Sequence, residues 1–273
     1  PSLADFAVFN SCAVTAEAER DVRKAVRGAA RSNPALRTIV MGCAAALPES
    51  ATALRRLPTV EHIVPGADLA AITRALGLAA SPQGAVPQSS VRAVLRVQDG
   101  CDEHCTFCAT TLARGANRSR APNEVVAEAS ALAAHHPEIV LTGTHLGTYG
   151  ADVGSSLGDL VDQLVSRVPV VRFRVSSVEA TEVDPQLADL LAADPARVAP
   201  HLHAPLQSGS DRMLRRMGRH WYTAKAYAGA IERLAARMPV LGLGADVMVG
   251  FPGETDADFE ETVALVRDLP FTY

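Results

Sequence analysis

The sequence predicts an α/β protein in two parts, a small parallel α/β layer followed by a longer run of βα units that form a barrel or a doubly wound sheet. Three observations predict it. Short apolar runs alternate with amphipathic helical stretches along the chain. A stretch rich in Pro, Gly, Gln and Ser, residues 79–90, interrupts that alternation once. After it, unusual small or polar residues follow one strand after another on the carboxyl side, the face where barrel enzymes assemble their sites. The expected domains are residues 1–78, a linker at 79–90, and residues 91–273.

In the first part, residues 6–9 read as a short buried strand by length and flanking residues. Thr15 can cap a helix running to about Arg31, with Glu17 and Glu19 in its positive first turn. Ala18, Val22, Ala25, Val26 and Ala29 form its inner face at helical spacing. Residues 37–41 make a second strand, and residues 48–57 and 69–78 two further helices. In the second part the expected strands are 91–97, 138–141, 171–175, 201–204 and 242–249. The expected helices are 123–134, 157–167, 186–192, 211–217, 223–238 and 256–269.

The chain has 273 residues, 48% of them apolar and 21% charged, as in an ordinary globular protein. Aromatics are only 4%, so the core rests on Val, Leu and Ala. Apolar runs are broken well before membrane-spanning length, which argues against a membrane role. Five cysteines form no even framework, and three share one loop, which fits the reduced thiols of the cytoplasm. A net charge of −4 gives no global pull toward nucleic acid, so any such contact must use a local patch. The chain opens with Pro1 and stops at Tyr273 as another strand begins, so both ends read as cut.

Cys101, Cys105 and Cys108 stand as C-x3-C-x2-C directly after the first strand of the second part. Three thiolates on one loop can hold three irons of a [4Fe–4S] cluster and leave the fourth iron open to a substrate or cofactor, unlike four-Cys ferredoxin patterns. Structural zinc is the competing reading, with His104 as a fourth ligand, although its ring would have to fold back between two thiolates. Buried structural thiols are the third. His145 and His203, near strand ends, could serve as acid–base groups or as hydrogen-bonded structural residues. Arg20, Arg23, Lys24, Arg27 and Arg31 fall at i, i+3, i+4, i+7 and i+11, one basic face that is either solvated or set for phosphate contact. Arg212, Arg215, Arg216 and Arg219 form a second strip open to the same two readings. No Walker A or G-x-G-x-x-G pattern occurs.

The Cys loop, with Phe107 before its last Cys, resembles the signature of radical S-adenosylmethionine (SAM) enzymes. The run from Asn10 to Glu19, with Met41-Gly-Cys-Ala44, resembles the N-terminal domain of the methylthiotransferases. Ala113-Arg-Gly115, Arg118-Ser-Arg120, the runs Arg174–Glu179 and His201–Asp211, and Val249–Thr255 continue that resemblance over nearly all of the chain. It implies a partial (β/α) barrel of radical SAM type behind a small parallel α/β domain. Within the family three substrates occur: threonylcarbamoyladenosine in tRNA, isopentenyladenosine in tRNA, and an aspartate of a ribosomal protein. The runs Val97–Cys101 and Leu141–Gly150 look most like the first.

The resemblance further implies that Cys101, Cys105 and Cys108 ligate the SAM-cleaving cluster, with SAM on its open iron and a low-potential electron donor outside. It places Phe107, Thr142, Gly143, Ser177, Glu179, Gln207, Gly250 and Phe251 around SAM. It assigns Cys12 and Cys43 to a second, auxiliary cluster whose remaining Cys is expected upstream of Pro1, and an RNA-binding domain beyond Tyr273. A fragment lacking both should hold its auxiliary cluster badly and bind tRNA poorly. The implied partner is the tRNA anticodon stem-loop. Ala109-Thr-Thr-Leu112 departs from the family's usual aliphatic-Pro sequence. A zinc-stabilised nucleic-acid-binding module without catalysis is the non-enzyme alternative.

Overall fold

In the computed structural model, residues 4–13, 15–66, 68–78, 88–238 and 240–273 are described. The chain divides into two compact units, Pro1–Gln83 with Cys108–Ala116, and Gly84–Phe107 with Asn117–Tyr273. Residues 79–87 of the expected linker lie outside the described residues.

In the first unit, β1 (Phe6–Ser11), β2 (Arg37–Gly42) and β3 (Val60–Pro65) form a parallel sheet in that order. Parallel neighbours need a crossover, and α1 (Ala16–Ser32) supplies the first. Thr15 caps it, its hydroxyl accepting from the Ala18 amide at 3.1 Å. Val22 and Val26 pack against Val40 of the sheet, while Ala25, expected on the inner face, is exposed and Ala30 is buried instead. α2 (Cys43–Ala46) and α3 (Pro48–Arg55) follow β2, and α4 (Leu69–Ala75) follows β3. β3 is absent from the sequence reading because Glu61 and His62 break its apolar run.

The second unit runs from β4 (Arg92–Arg96) and β5 (Gln98–Asp99). A short helix of the first unit, α5 (Thr110–Arg114), intervenes and packs on α2. There follow β6 (Arg118–Ser119), α6 (Pro122–Ala133), β7 (Glu138–Thr142), α7 (Leu157–Arg167), β8 (Arg172–Val175) and α8 (Pro185–Ala193). Last come β9 (His201–His203), α9 (Asp211–Arg216), α10 (Ala224–Arg237), β10 (Gly242–Gly244) and α11 (Asp256–Asp268). β4, β7 and β8 pair in parallel, as do β9 and β10, and bridges Phe173–Val198 and Ser177–His203 join the two sets. This is the expected succession of parallel βα units. β5 and β6 form a small antiparallel pair that the sequence reading lacks.

Alternation sets the core. Ala93, Leu95, Ile139, Leu141, Phe173, Val175, Leu202 and Leu243 turn one face of the sheet into the apolar core. Val126, Leu160, Leu164, Leu187 and Ile231 come onto them from the helices. The predicted strand over 242–249 stops at Gly244. Beyond it, Ala204, Leu206 and Gln207 take their backbone acceptors irregularly from Gly244 and Asp246, so no ladder forms.

On the opposite sheet face Glu138 sits among three arginines, with Arg174 Nε at 2.7 Å, Arg92 Nε at 3.5 Å and Arg172 Nη1 at 3.8 Å. Burial pushes the Glu138 carboxyl up, but the Arg174 hydrogen bond and the charges around it outweigh burial and hold it below its ordinary value. A depressed folded pKa contributes stability above the unfolded carboxylate pKa, and that stability is lost as pH falls through the folded one. Glu138→Gln should therefore lower stability at pH 7 and flatten the acid limb of the stability profile below about pH 4.5. Urea unfolding at several pH values checks this; parallel curves for the two proteins would refute it.

Candidate active site

Residues 100–109, which carry the three thiols, contain no helix or strand, so neighbours must fix their backbone. Gln98, fully buried just before the loop, does much of this. Its Nε2 donates to the Gly100 carbonyl at 2.7 Å, and its Oε1 accepts from the His145 amide at 2.9 Å. The Asn117 amide donates to Asp102 Oδ1 at 3.0 Å. Further on, the Thr106 amide donates to the Met217 carbonyl at 2.9 Å and its hydroxyl to the Arg216 carbonyl at 3.2 Å, tying the loop to the end of α9. Gly218, at φ +77°, follows there, and a Cβ on it would lie 2.8 Å from the His104 carbonyl oxygen.

Each sulfur meets a donor. The Glu103 amide donates to Cys101 Sγ at 3.4 Å, and His145 Nδ1 lies 3.5 Å from the same sulfur. Arg219 Nη1 donates to Cys105 Sγ at 3.5 Å. The Thr110 amide donates to Cys108 Sγ at 3.4 Å. Cys101 and Cys105 are half-buried and belong to the second unit; Cys108 is exposed and opens the segment that belongs to the first. Among the described residues no three His, Cys, Asp or Glu side chains already stand together as a metal-binding group. Donors aimed at sulfur favour the thiolate, the ligand form, so the donor set fits the chemistry of an iron–sulfur cluster better than that of buried inert thiols. His104 is exposed.

Behind the sulfurs lie two buried charged pairs anchored on one short turn, Ala180–Glu182 and the residue before it. Glu182 receives His145 Nε2 at 2.9 Å. Burial alone would hold His145 down, but its hydrogen bonds to Cys101 and Glu182 carry its pKa up to about 10. Glu179 pairs with Arg219, whose Nε also donates to Tyr222 Oη at 2.9 Å and whose guanidinium lies 4.6 Å over the Trp221 ring. Burial pushes the Glu179 carboxyl up against the pull of Arg219. Among the described residues, Glu179 Oε2 is buried without a hydrogen-bond partner.

The other expected site residues fall on the carboxyl ends of the strands. Thr142 ends β7, and Gly143 follows it. A Cβ on Gly143 would come 2.6 Å from Gln98 Oε1, so this glycine makes room for Gln98. Ser177 is exposed after β8. Gln207 has φ +64°, a left-handed conformation unusual outside glycine. Gly250 turns at φ +77°, its amide on Glu254 Oε2 at 2.5 Å. Phe107 and Phe251 meet edge to face with ring centroids 6.3 Å apart.

Of the second arginine strip, Arg212, Arg215 and Arg216 are exposed and only Arg219 departs from a surface face. Arg219 is buried on Glu179, Arg212 is engaged by Asp258, and Arg216 donates to the Pro252 carbonyl at 3.1 Å. His145 is buried between Cys101 and Glu182, and His203 pairs with Asp246 at 3.2 Å and stacks near Tyr273, both hydrogen-bonded as the second of their two readings has it. On α1, Arg20 and Arg23 pair with Glu17 and Glu19, while Lys24, Arg27 and Arg31 are exposed. Cys12 and Cys43 directly follow Ser11 and Gly42, which are register partners in β1 and β2, so both leave one end of the sheet. Gln98, Glu182 and Trp221 were missed. No local pattern in the sequence marks them.

The profile of the Radical SAM superfamily matches residues 95–266, and that of the uncharacterized protein family UPF0004 matches residues 1–65. A threonylcarbamoyladenosine tRNA methylthiotransferase MtaB from Thermotoga maritima is 34% identical over 98% of this chain and 65% of its own length. One from Aquifex aeolicus is 32% identical over 99% of this chain and 70% of its own length. The chain thus spans about two thirds of the curated relatives it matches. A solved radical S-adenosylmethionine methyltransferase, TsrM from Kitasatospora setae, superposes with a TM-score of 0.75 at 17% identity, covering 98% of this chain and 61% of that one, which supports the fold. No helix among the described residues is long and apolar enough to cross a membrane. Two family profiles, relatives above 30% identity across the whole chain and a thiol loop braced by sulfur-directed donors agree: the chain belongs to the radical SAM superfamily, in its methylthiotransferase branch.

Proposed function

We propose that this chain is the part of a tRNA-modifying enzyme that adds a methylthio group to threonylcarbamoyladenosine beside the anticodon, in the cytoplasm. The observation that carries the substrate is the agreement of MtaB relatives from several bacteria at 32–34% identity over essentially the whole chain. In this reading Cys101, Cys105 and Cys108 hold a [4Fe–4S] cluster, and Cys12 and Cys43 contribute to an auxiliary one. Bound there, cluster and SAM would supply one-electron cleavage of a sulfonium and a methyl group, with a sulfur source, an external low-potential donor and tRNA as partners.

The chain's own residues bind, orient and shield. The unpartnered, buried Oε2 of Glu179 is a ready acceptor for a hydroxyl of the cofactor. Phe107 and Phe251 form an apolar wall suited to a flat base, beside Gly250, where a side chain is missing. Thr142, Gly143, Ser177 and Gln207 occupy the ends of neighbouring strands and complete the ring.

A second reading has specific support. A tRNA-2-methylthio-N(6)-dimethylallyladenosine synthase from a Parafrankia strain is 35% identical over 98% of this chain and 58% of its own length. The deciding experiment incubates the full-length protein with SAM, reductant and tRNA bearing either modified adenosine, and reads nucleosides by mass. Methylthiolation confined to threonylcarbamoyladenosine is expected; conversion of the isopentenyl form alone would overturn the choice. Replacing Cys101, Cys105 or Cys108 with Ala should abolish turnover and remove one cluster's share of the iron, leaving the auxiliary share in place.

Gly218→Ala tests the brace under the loop. A non-glycine residue in the left-handed region costs on the order of 1–3 kcal/mol, and the new Cβ would press on the His104 carbonyl. Cluster content should fall, while a Gly28→Ala control on α1 should not lower it. Wild-type iron content in Gly218→Ala would refute the role.

The exposed Lys24, Arg27 and Arg31 support phosphate contact by α1. Lys24→Glu with Arg27→Glu should weaken tRNA binding and reduce the slope of log affinity against log salt by roughly 0.7–0.9 for each phosphate no longer neutralised. An unchanged slope would leave α1 as a solvated face.

A further inference from the structure

The arginine strip read from the sequence contains one member that behaves unlike the rest. Arg219 is only 5% exposed, yet it carries a permanent charge. Its guanidinium serves three groups at once: Cys105 Sγ at 3.5 Å, the Glu179 carboxylate, and Tyr222 Oη at 2.9 Å. Trp221 and Tyr222 cover it, with ring centroids 4.6 and 5.1 Å from its Cζ. Tyr222 is fixed in turn by donating to the Leu206 carbonyl at 2.7 Å. The chain reaches this place through Gly218, whose lack of a Cβ lets α9's end lie against His104 and Cys105.

A buried salt bridge is weak evidence for stability, because the cost of desolvating both ions offsets their attraction. Here the geometry offers another return. A fixed cation that donates to a ligand sulfur lowers the energy of the more negative, reduced cluster, and hydrogen bonds to sulfur are among the factors that set cluster potentials. The same guanidinium is held by Glu179, whose second oxygen is buried without a hydrogen-bond partner among the described residues.

We propose that Arg219 is a positioning residue that holds the Cys105 sulfur and raises the reduction potential of the cluster through its hydrogen bond, with Glu179 setting the angle of the guanidinium. The inference rests on the reading of Cys105 as a cluster ligand. It makes Arg219 a link between the electron-accepting group and the side chain offered to the cofactor.

The test uses full-length protein carrying Cys12→Ala and Cys43→Ala, so that only the Cys101, Cys105 and Cys108 site takes up iron; it is reconstituted without oxygen, its iron and sulfide counted, and the cluster titrated by EPR in the absence of SAM. In that background, wild type at residue 219, Arg219→Lys, Arg219→Met and the double variant Glu179→Gln/Arg219→Met are compared. Arg219→Met should make reduction about tenfold less favourable, ~59 mV lower for one electron. Arg219→Lys, which keeps the charge but not the fork, should fall between it and wild type. The double variant leaves neither buried charge alone, and it should show the same lowering as Arg219→Met. If Arg219→Met fails to fold, the double variant carries the measurement. Variants with full iron content and a reduction equilibrium within about twofold of wild type would overturn the proposal and leave a structural ion pair. A Cys12→Ala/Cys43→Ala protein with Arg219 intact that takes up no iron would instead sink the reading of Cys105 as a cluster ligand, and this inference with it.

Discussion

Irregular backbone cannot hold sulfur atoms in place by itself; every N–H and C=O it leaves unpaired must be answered by something rigid nearby. The Cys loop of this protein meets that constraint with a few bonds from its own unit. Gln98 closes its start, the Asn117–Asp102 contact spans it, and Thr106 is bound to the last carbonyls of α9. The loop's order is therefore inherited from a buried glutamine and from a helix terminus more than a hundred residues away. Cys101 and Cys105 can keep their spacing only while those two anchors keep theirs.

The same economy governs charge. Glu179 and Glu182 lie on one short turn after β8, and each holds a different partner against a different sulfur, Arg219 at Cys105 and His145 at Cys101. His145 and Arg219 also share the Trp221 ring, at 6.4 Å between centroids for the first and 4.6 Å from Cζ for the second. Burying such pairs contributes little net stability. Their arrangement makes sense as orientation: each carboxylate fixes a donor that would otherwise have several rotamers, and each donor fixes a sulfur.

Much of this was legible in the sequence, for identifiable reasons. Strong periodicity placed β1, β2, β4, β7, β8 and α1, α6, α7, α10 and α11, because their apolar positions alternate or recur at helical spacing without interruption. β3 escaped because Glu61 and His62 are exposed in an edge strand. The tail of the predicted strand over 242–249 was overread, since Val247 and Val249 look like core residues but are exposed in the structure. Arg219 was mistaken for a surface cation because spacing sees a helix face, whereas the helix α9 ends before it and Gly218 turns it inward. Gln98 and Glu182 carry no local pattern at all; their importance arises only from what lies across the fold.

Gln207 shows how the scaffold supports a costly conformation near the site. A non-glycine residue at φ +64° persists only where its surroundings leave no alternative. On one side its amide is held by the Asp246 carbonyl and its carbonyl by the Met248 amide, both at 2.8 Å. On the other side the next residues are locked to α11: the Gly209 amide donates to Thr262 Oγ1 at 2.9 Å, with a Cβ there only 2.6 Å from Thr262 Cα. Asp258 completes the lock. It accepts from Ser210 Oγ at 2.7 Å, Arg212 Nε at 3.0 Å and the Thr255 amide at 2.9 Å, and the Arg212 hydrogen bond foremost holds its carboxyl far below the ordinary range. The run Gln207-Ser-Gly-Ser-Asp211 is thus one mechanical unit, in which buried polar bonds to α11 hold the chain so that the strained glutamine at its head cannot relax.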